Sequence, residues 1–288
     1  MKSKLVLLTL ILTLLTTQIF AQNIQNISGF GQVKADTNGF YIPKVRIFLK
    51  SSIDNGVLGL KARYEIYADF NKNGNPELGY ASLIFYSDNK KLPEIVVGRT
   101  LDPVTYQFPA PFQLPIINYP KSCFNNPYGM GVFARKKNGN LWAMAGVTNG
   151  NGKFKDNNKS FDFTSRVTYS LPFNFVIGGI YRNGKQPLDE RKIFGVDLTW
   201  KQGKIWINAG QNQFEYTENK TGQWLWGTYD VTSWFQLVGL IEKVDDLSGW
   251  SVGFSLSPTK NTVLRVSYFK QAEIETVKSW GLLFQQCF

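Results

Sequence analysis

The stretch Leu60-Lys61-Ala62-Arg63-Tyr64-Glu65-Ile66-Tyr67-Ala68-Asp69 decides the fold class. In an extended chain Leu60, Ala62, Tyr64, Ile66 and Ala68 share one face and Lys61, Arg63, Glu65, Tyr67 and Asp69 the other, because successive side chains of a strand point to opposite sides. A helix would scatter both sets around its circumference. The preceding Lys44-Val45-Arg46-Ile47-Phe48-Leu49-Lys50 does the same, with Val45, Ile47 and Leu49 opposed to Lys44, Arg46 and Lys50. The segments 161–169 and 194–201 repeat the period, and no helix-period segment competes with it.

Turn signals separate these runs: Asp54-Asn55-Gly56, Asn71 to Pro76, Asn138-Gly139-Asn140, Asn149 to Gly152, Asn183-Gly184, Gln202-Gly203 and Pro258 to Asn261. A strand between each pair predicts about sixteen, within roughly 14–18. They fall at 27–34, 42–51, 57–69, 78–88, 92–100, 127–136, 141–149, 160–170, 173–182, 191–201, 204–214, 222–230, 233–242, 249–257, 262–271 and 277–288. Connections after even-numbered strands are expected to be tight and those after odd-numbered strands longer, with 101–126 the longest. That asymmetry fits an all-β, antiparallel up-and-down transmembrane barrel with short periplasmic turns and longer outer loops.

Residues 1–21 have the three-part pattern of a secretory signal: Lys2 and Lys4, an apolar stretch from Leu5 to Leu15, then Ile19-Phe20-Ala21 with small Ala21 at the cleavage edge. The apolar core is shorter than the ~20 residues a spanning helix needs. Beyond Ala21 the longest apolar run, Phe235 to Ile241, is broken by Gln236 and Gly239. A membrane crossing by the remaining 22–288, expected as a single barrel domain, therefore has to use strands.

The 288 residues contain no histidine, which removes Ser-His-Asp and Cys-His triads and imidazole zinc sites. No paired-carboxylate or phosphate-loop pattern stands out, so no enzyme is expected. Cys123 and Cys287 are the only thiols, and the Asn149–Gly152 and Asn157-Asn158 loop has one acid, Asp156, too few for calcium. Neither metal nor cofactor is expected. The net charge is +11, and losing Lys2 and Lys4 with the signal leaves +9, a balance suited to small anionic solutes. Nucleic acid is not an expected partner.

A secreted β-sandwich alternates in the same way. Two features favour the barrel. Aromatics crowd the expected strand ends (Tyr41, Tyr86, Tyr128, Trp142, Phe173, Tyr181, Trp200, Trp234, Trp250 and Trp280), where interface girdles would stand. The last segment puts Trp280, Leu282, Phe284 and Phe288 on one face and ends on an aromatic, with Gln286 departing from the pattern. Such an ending resembles the terminal strand of Gram-negative outer-membrane barrels, where it acts as an assembly signal.

The segments Ile27-Ser28-Gly29-Phe30-Gly31-Gln32-Val33, Tyr64 to Asp69, Leu78 to Tyr86, Val97-Gly98-Arg99 followed by Pro103, and Asp230 to Leu237 resemble the phosphate-selective (polyphosphate-selective) porin family. The resemblance covers most of the mature chain in layout, through short motifs. It implies an outer-membrane porin of sixteen strands, a homotrimer amid outer-membrane lipid and lipopolysaccharide, whose third outer loop folds inward to narrow the pore. The chain is shorter than is usual for that family, which leaves less length for large outer loops.

With Val45, Ile47, Leu60 and Ala62 toward lipid, the complementary rows line the channel. They carry Lys44, Arg46, Lys50, Lys61, Arg63, Arg99, Arg135, Arg166, Arg182, Lys201 and Arg265 against Glu65, Asp69, Asp162 and Asp197. Cations exceed anions, so passive diffusion of small hydrophilic solutes with a preference for anions such as phosphate is the expected function. Arg46, Arg63 and Arg99 are expected to cluster at the constriction; the alternative is pairing with Glu65, Asp69 and Asp102. Loop 101–126, stiffened by Pro103, Pro109, Pro111, Pro115 and Pro120, is expected to present Asp102, Tyr106, Phe108, Phe112 and Lys121 to the lumen, or else to cap the barrel. Two other functions fit the same sequence: a closed structural or adhesive barrel, and a secreted sandwich binding carbohydrate through Trp224, Trp226 and Trp234.

Overall fold

The computed structural model describes residues 26–36, 39–53, 60–71, 76–107, 122, 128–149, 160–186, 189–215, 219–270, 272 and 278–287. Residues 1–21, expected as a signal, most of loop 101–126 and Phe288 lie outside the described residues.

Sixteen strands form one closed antiparallel barrel, each paired with its neighbours in sequence and the last with the first. They are β1 (Asn26–Asp36), β2 (Gly39–Ile53), β3 (Lys61–Asn71), β4 (Pro76–Tyr86), β5 (Glu94–Leu101), β6 (Tyr128–Asn138), β7 (Leu141–Thr148) and β8 (Asp162–Ser170). The second half comprises β9 (Phe175–Gln186), β10 (Asp189–Gln202), β11 (Ile205–Glu215), β12 (Lys220–Asp230), β13 (Phe235–Val244), β14 (Leu247–Thr259), β15 (Thr262–Lys270) and β16 (Lys278–Cys287). Closure runs through Phe30 opposite Cys287 to Asp36 opposite Gly281, and Gln32 donates to the Gln285 amide oxygen at 2.9 Å. The closed barrel excludes a two-sheet sandwich.

One row of each strand is apolar and open to the surroundings, the other largely buried. Val132, Phe163, Val167, Ile177, Val196, Leu225, Ile241, Val252 and Phe284 form the outward belt. Thr164, Arg166, Arg182, Asp197, Asn208 and Arg265 lie on the inward rows. An outer belt of this size would aggregate in water, whereas a bilayer accepts it on a closed ladder that leaves no open sheet edge.

The connections depart from the expected asymmetry. The link from β9 to β10 covers only 187–188 and that from β13 to β14 only 245–246. Long connections after odd-numbered strands remain at 102–127 and 149–161. Asn183-Gly184, expected as a turn, lies within β9. A Cβ at Gly184 would stand 1.8 Å from the Asp162 carboxylate, so glycine here makes room for an acid on the adjacent strand.

The girdle expectation holds in part. Trp280 and Tyr181 face outward, and Trp234 and Phe173 stand exposed at the turns after β12 and β8. Trp142 and Tyr86 instead occupy inward rows, opposite Lys137 and Lys61 respectively. Trp224 and Trp226 are also inward and buried, in a cluster with Val238 and Leu240, so they are not exposed sugar platforms.

Candidate functional site

Several cations of the inner wall stand in ion pairs with carboxylates on the same strand, on a strand one or two places away, or in a turn. On β3 to β6, Glu94 accepts from Arg135 Nε at 2.5 Å and from Arg63 Nη2 at 3.3 Å, one carboxylate serving two guanidiniums. Glu65 stands 3.8 Å from Arg63 and 3.9 Å from Lys50, and Lys61 donates to Asp88 at 2.8 Å. Arg166 on β8 makes a two-pronged contact with Asp197 on β10, at 2.7 and 2.8 Å. The strand between them contributes Gly178, where a Cβ would lie 2.6 Å from Arg166 Nη2. Arg265 donates to the Gln285 oxygen at 3.4 Å.

Arg46 sits among aromatic rings. Its guanidinium lies 3.9 Å from the centroid of the Tyr67 ring and 5.5 and 5.7 Å from Phe30 and Phe48. These rings continue as a row across β1 to β4, ending in Tyr80 stacked on Tyr67 at 5.5 Å. A ring face carries negative potential, so this box holds a buried cation by cation–π contact.

Loop 101–126 starts on the inner side. After β5 the chain makes a short 3-10 helix, Pro103–Gln107, that packs on β8 and β9, beyond the two strands that separate them from β5. Asp102 anchors it: Thr164 Oγ1 donates to Oδ1 at 2.6 Å, and Arg182 Nη1 donates to Oδ2 at 3.0 Å. Arg182 also grips Asp162 Oδ2 through Nε and Nη2 at 2.9 and 2.7 Å. Val104 fills an apolar pocket made by Ile180, Ile193 and Phe214. Near the other end of the loop, the Ser122 N–H and hydroxyl donate to Glu242 on β13 at 3.1 and 3.3 Å, and Asn212 on β11 donates to the Ser122 carbonyl at 3.4 Å. A Cβ at Gly222 on β12 would come within 2.3 Å of that carbonyl. Two points of one loop thus rest on β8–β9 and on β11–β13.

Of the expected wall residues, Arg46, Lys61, Arg63, Arg135, Arg166 and Arg265 take inward rows. Lys44 holds its place opposite Gln32 in β2, and its side chain lies outside the described residues. Arg99 departs from expectation. It pairs with Ala81 and Met130 on the outward row, while Thr100 and Val96 face in. The cause is the unalternating run Ile95-Val96-Val97, in which inward Val96 joins Ile84, Phe133 and Met144 in an apolar cluster on the inner wall. Arg46, Arg63 and Arg99 therefore do not converge. Arg46 and Arg63 are themselves six register positions apart on β2 and β3, ~20 Å along the sheet. Asp102 is buried, and its partner is Arg182 rather than the expected trio. The Tyr106 side chain, Phe108, Phe112 and Lys121 lie outside the described residues.

Glu94, Glu242 and Ser122 are contributors that sequence reading missed. Glu94 had no usable signal, because the run Ile95-Val96-Val97 hides the parity of β5; its inward place shows only in its pairing with Arg135. Ser122 had none either, because its contacts depend on the path of a long loop.

No protein-family model matches the chain, and no curated protein matches it. Solved structures share the architecture. OmpF of Salmonella typhi, solved with daunomycin, superposes with a TM-score of 0.73 at 11% identity, covering 91% of this chain and 96% of that one. An anion-selective porin from Comamonas acidovorans gives 0.69 at 13%, covering 91% and 99%. The trimer form of OmpT, an outer membrane protein of Vibrio cholerae, gives 0.66 at 10%, covering 91% and 98%. The architecture is that of a multi-pass outer-membrane β-barrel of the Gram-negative type, the fold that the solved porins share.

Proposed function

We propose that the chain is a non-enzymatic outer-membrane porin, a passive channel for small hydrophilic solutes that favours anions, phosphate among them, and that it assembles as a homotrimer in lipid and lipopolysaccharide after losing residues 1–21. Loop 101–126 lies within the barrel in this reading and narrows it. The observation that carries it is the anchoring of Asp102 on β8–β9 and Ser122 on β11–β13, with Arg and Lys in excess of carboxylates on the inward rows. Arg46, Lys61, Arg63, Arg135, Arg166 and Arg265 are the wall cations of the proposal. A cationic wall lowers the cost for an anion leaving bulk water and raises it for a cation. Ion pairs such as Arg166–Asp197 are neutral at a distance, and mobile ions screen the remaining charge over about 8–10 Å, so the preference is modest.

A closed structural barrel is the second reading, favoured by the buried inner clusters around Trp226 and Phe133. One experiment separates the two. Purified chain in a planar bilayer should open ohmic channels whose reversal potential in a salt gradient has the sign of an anion-permeable pore, shrinking as salt rises. A cation-permeable pore would reverse the selectivity. A folded preparation that never conducts would favour the closed barrel.

A further inference from the structure

Toward the end of the barrel that carries the turns 139–140 and 171–174, the inner wall dips into a recess of about 470 Å³ lined by Arg135, Trp142, Arg166, Thr168, Val176 and Thr199. All six come from inward rows: Arg135 opposes Met144, Trp142 opposes Thr168, and Val176 opposes Thr199. Sites for small molecules span roughly 300–1,000 Å³, so the recess suits a single ring rather than a polymer. We propose that it is a subsite for hydroxylated ring compounds carrying a carboxylate, the class of the sugar acids. The proposal rests on the channel reading above, since solute reaches the recess through the lumen.

Each part of such a solute meets a matching group. Arg166 is oriented by its two-pronged contact with Asp197, which uses two of its five N–H donors. Arg135 is fixed through Nε on Glu94, the carboxylate it shares with Arg63. Guanidiniums held in place by existing bonds bind an incoming carboxylate with little further ordering cost. Trp142 packs on the cluster of Ile84, Val96, Phe133 and Met144, which braces its indole as a platform for the apolar face of a ring. Thr199 Oγ1 accepts from Asn208 Nδ2 at 2.8 Å, which leaves its own O–H to donate, and Thr168 supplies a second hydroxyl to the recess.

The same inventory disfavours simpler occupants. Inorganic phosphate would leave Trp142 and Val176 without a complementary surface. A neutral sugar would displace water from two guanidiniums without supplying the negative charge that repays it.

The test uses the full mature chain in a planar bilayer, with glucuronate as probe and glucose and acetate as comparators. Millimolar glucuronate should interrupt the ionic current in a concentration-dependent way, while glucose and acetate at the same concentration should not. Trp142→Ala should raise the half-blocking concentration about tenfold and Thr168→Val about threefold, each judged against that variant's own open current. Thr168→Val carries the test alone if Trp142→Ala fails to give the heat-modifiable folded form. Equal block by glucose or acetate, or an unchanged half-blocking concentration in the folded variants, would overturn the subsite. An open channel indifferent to glucuronate overturns the subsite alone, whereas a folded barrel that never conducts overturns the channel reading and the subsite with it.

Discussion

At the scale of single residues, the Arg166–Asp197 pair illustrates what sequence could and could not reveal. Both residues were legible as inward, because Arg166 alternates with apolar Val167 and Asp197 with Val196 and Leu198. Their partnership was not legible, since it spans two strands and depends on Gly178 leaving the intervening row open. The side chains are only 5% and 2% exposed, so removing one charge leaves the other stranded. Breaking a buried pair in this way costs ~3–5 kcal/mol. Asp197→Asn should therefore lower the unfolding free energy by about 3 kcal/mol in a urea titration followed by tryptophan fluorescence in lipid vesicles. It should also shift the reversal potential toward anions, because Arg166 loses its neutralising partner. Gly178→Ala should destabilise as well, through the contact of its methyl with Arg166 Nη2, without adding net charge. Equal selectivity changes in both variants would show that the charge of Asp197 is not felt in the lumen.

At the scale of elements, alternation is a good guide wherever a strand has an inner polar row and an outer apolar one, as in β2 and β8. It fails in β5, where Val96 turns an apolar side chain inward and the parity of the whole strand becomes unreadable; Arg99 was misassigned for that reason. It also gives no account of where Ser122 rests, since the chain between Gln107 and Ser122 carries no period. The outward belt supports a direct test. Val196 lies half exposed near the middle of the β10–β11 ladder. Val196→Arg should cost ~2–4 kcal/mol of stability in a bilayer, as an arginine does on the lipid face near the midplane. Lys61→Ala, which removes a solvent-exposed pair with Asp88, should change stability by less than about 1 kcal/mol. Similar losses in the two variants would mean that the faces are reversed. The loop anchor can be tested in the same spirit. Gly222→Ala would drive a methyl into the Ser122 carbonyl, so it should dislodge that anchor and raise single-channel conductance if the loop narrows the lumen.

At the scale of the whole molecule, the decisive pairing joins the two ends of the chain. Gln32 and Gln285 are 253 positions apart, the most distant kind of contact a chain of this length can make, and closing such a loop carries the largest chain-entropy cost. Until β16 docks on β1, both strands present unpaired N–H and C=O groups that the hydrocarbon core cannot satisfy. Closure is therefore expected to be the last and slowest step of assembly, and the terminal strand should control its rate. Leu283 sits in the middle of that strand, inward and buried, opposite Lys34 on one side and Arg265 on the other. Proline there removes a ladder N–H and is tolerated only at edges and bulges, positions that a closed barrel does not offer in mid-strand. Leu283→Pro should thus abolish the heat-modifiable band and leave protease-sensitive chain, whereas Leu283→Ala should retain the band and lose only packing. A Leu283→Pro chain that still yields a protease-resistant barrel at normal speed would show that assembly does not wait for the β1–β16 seam.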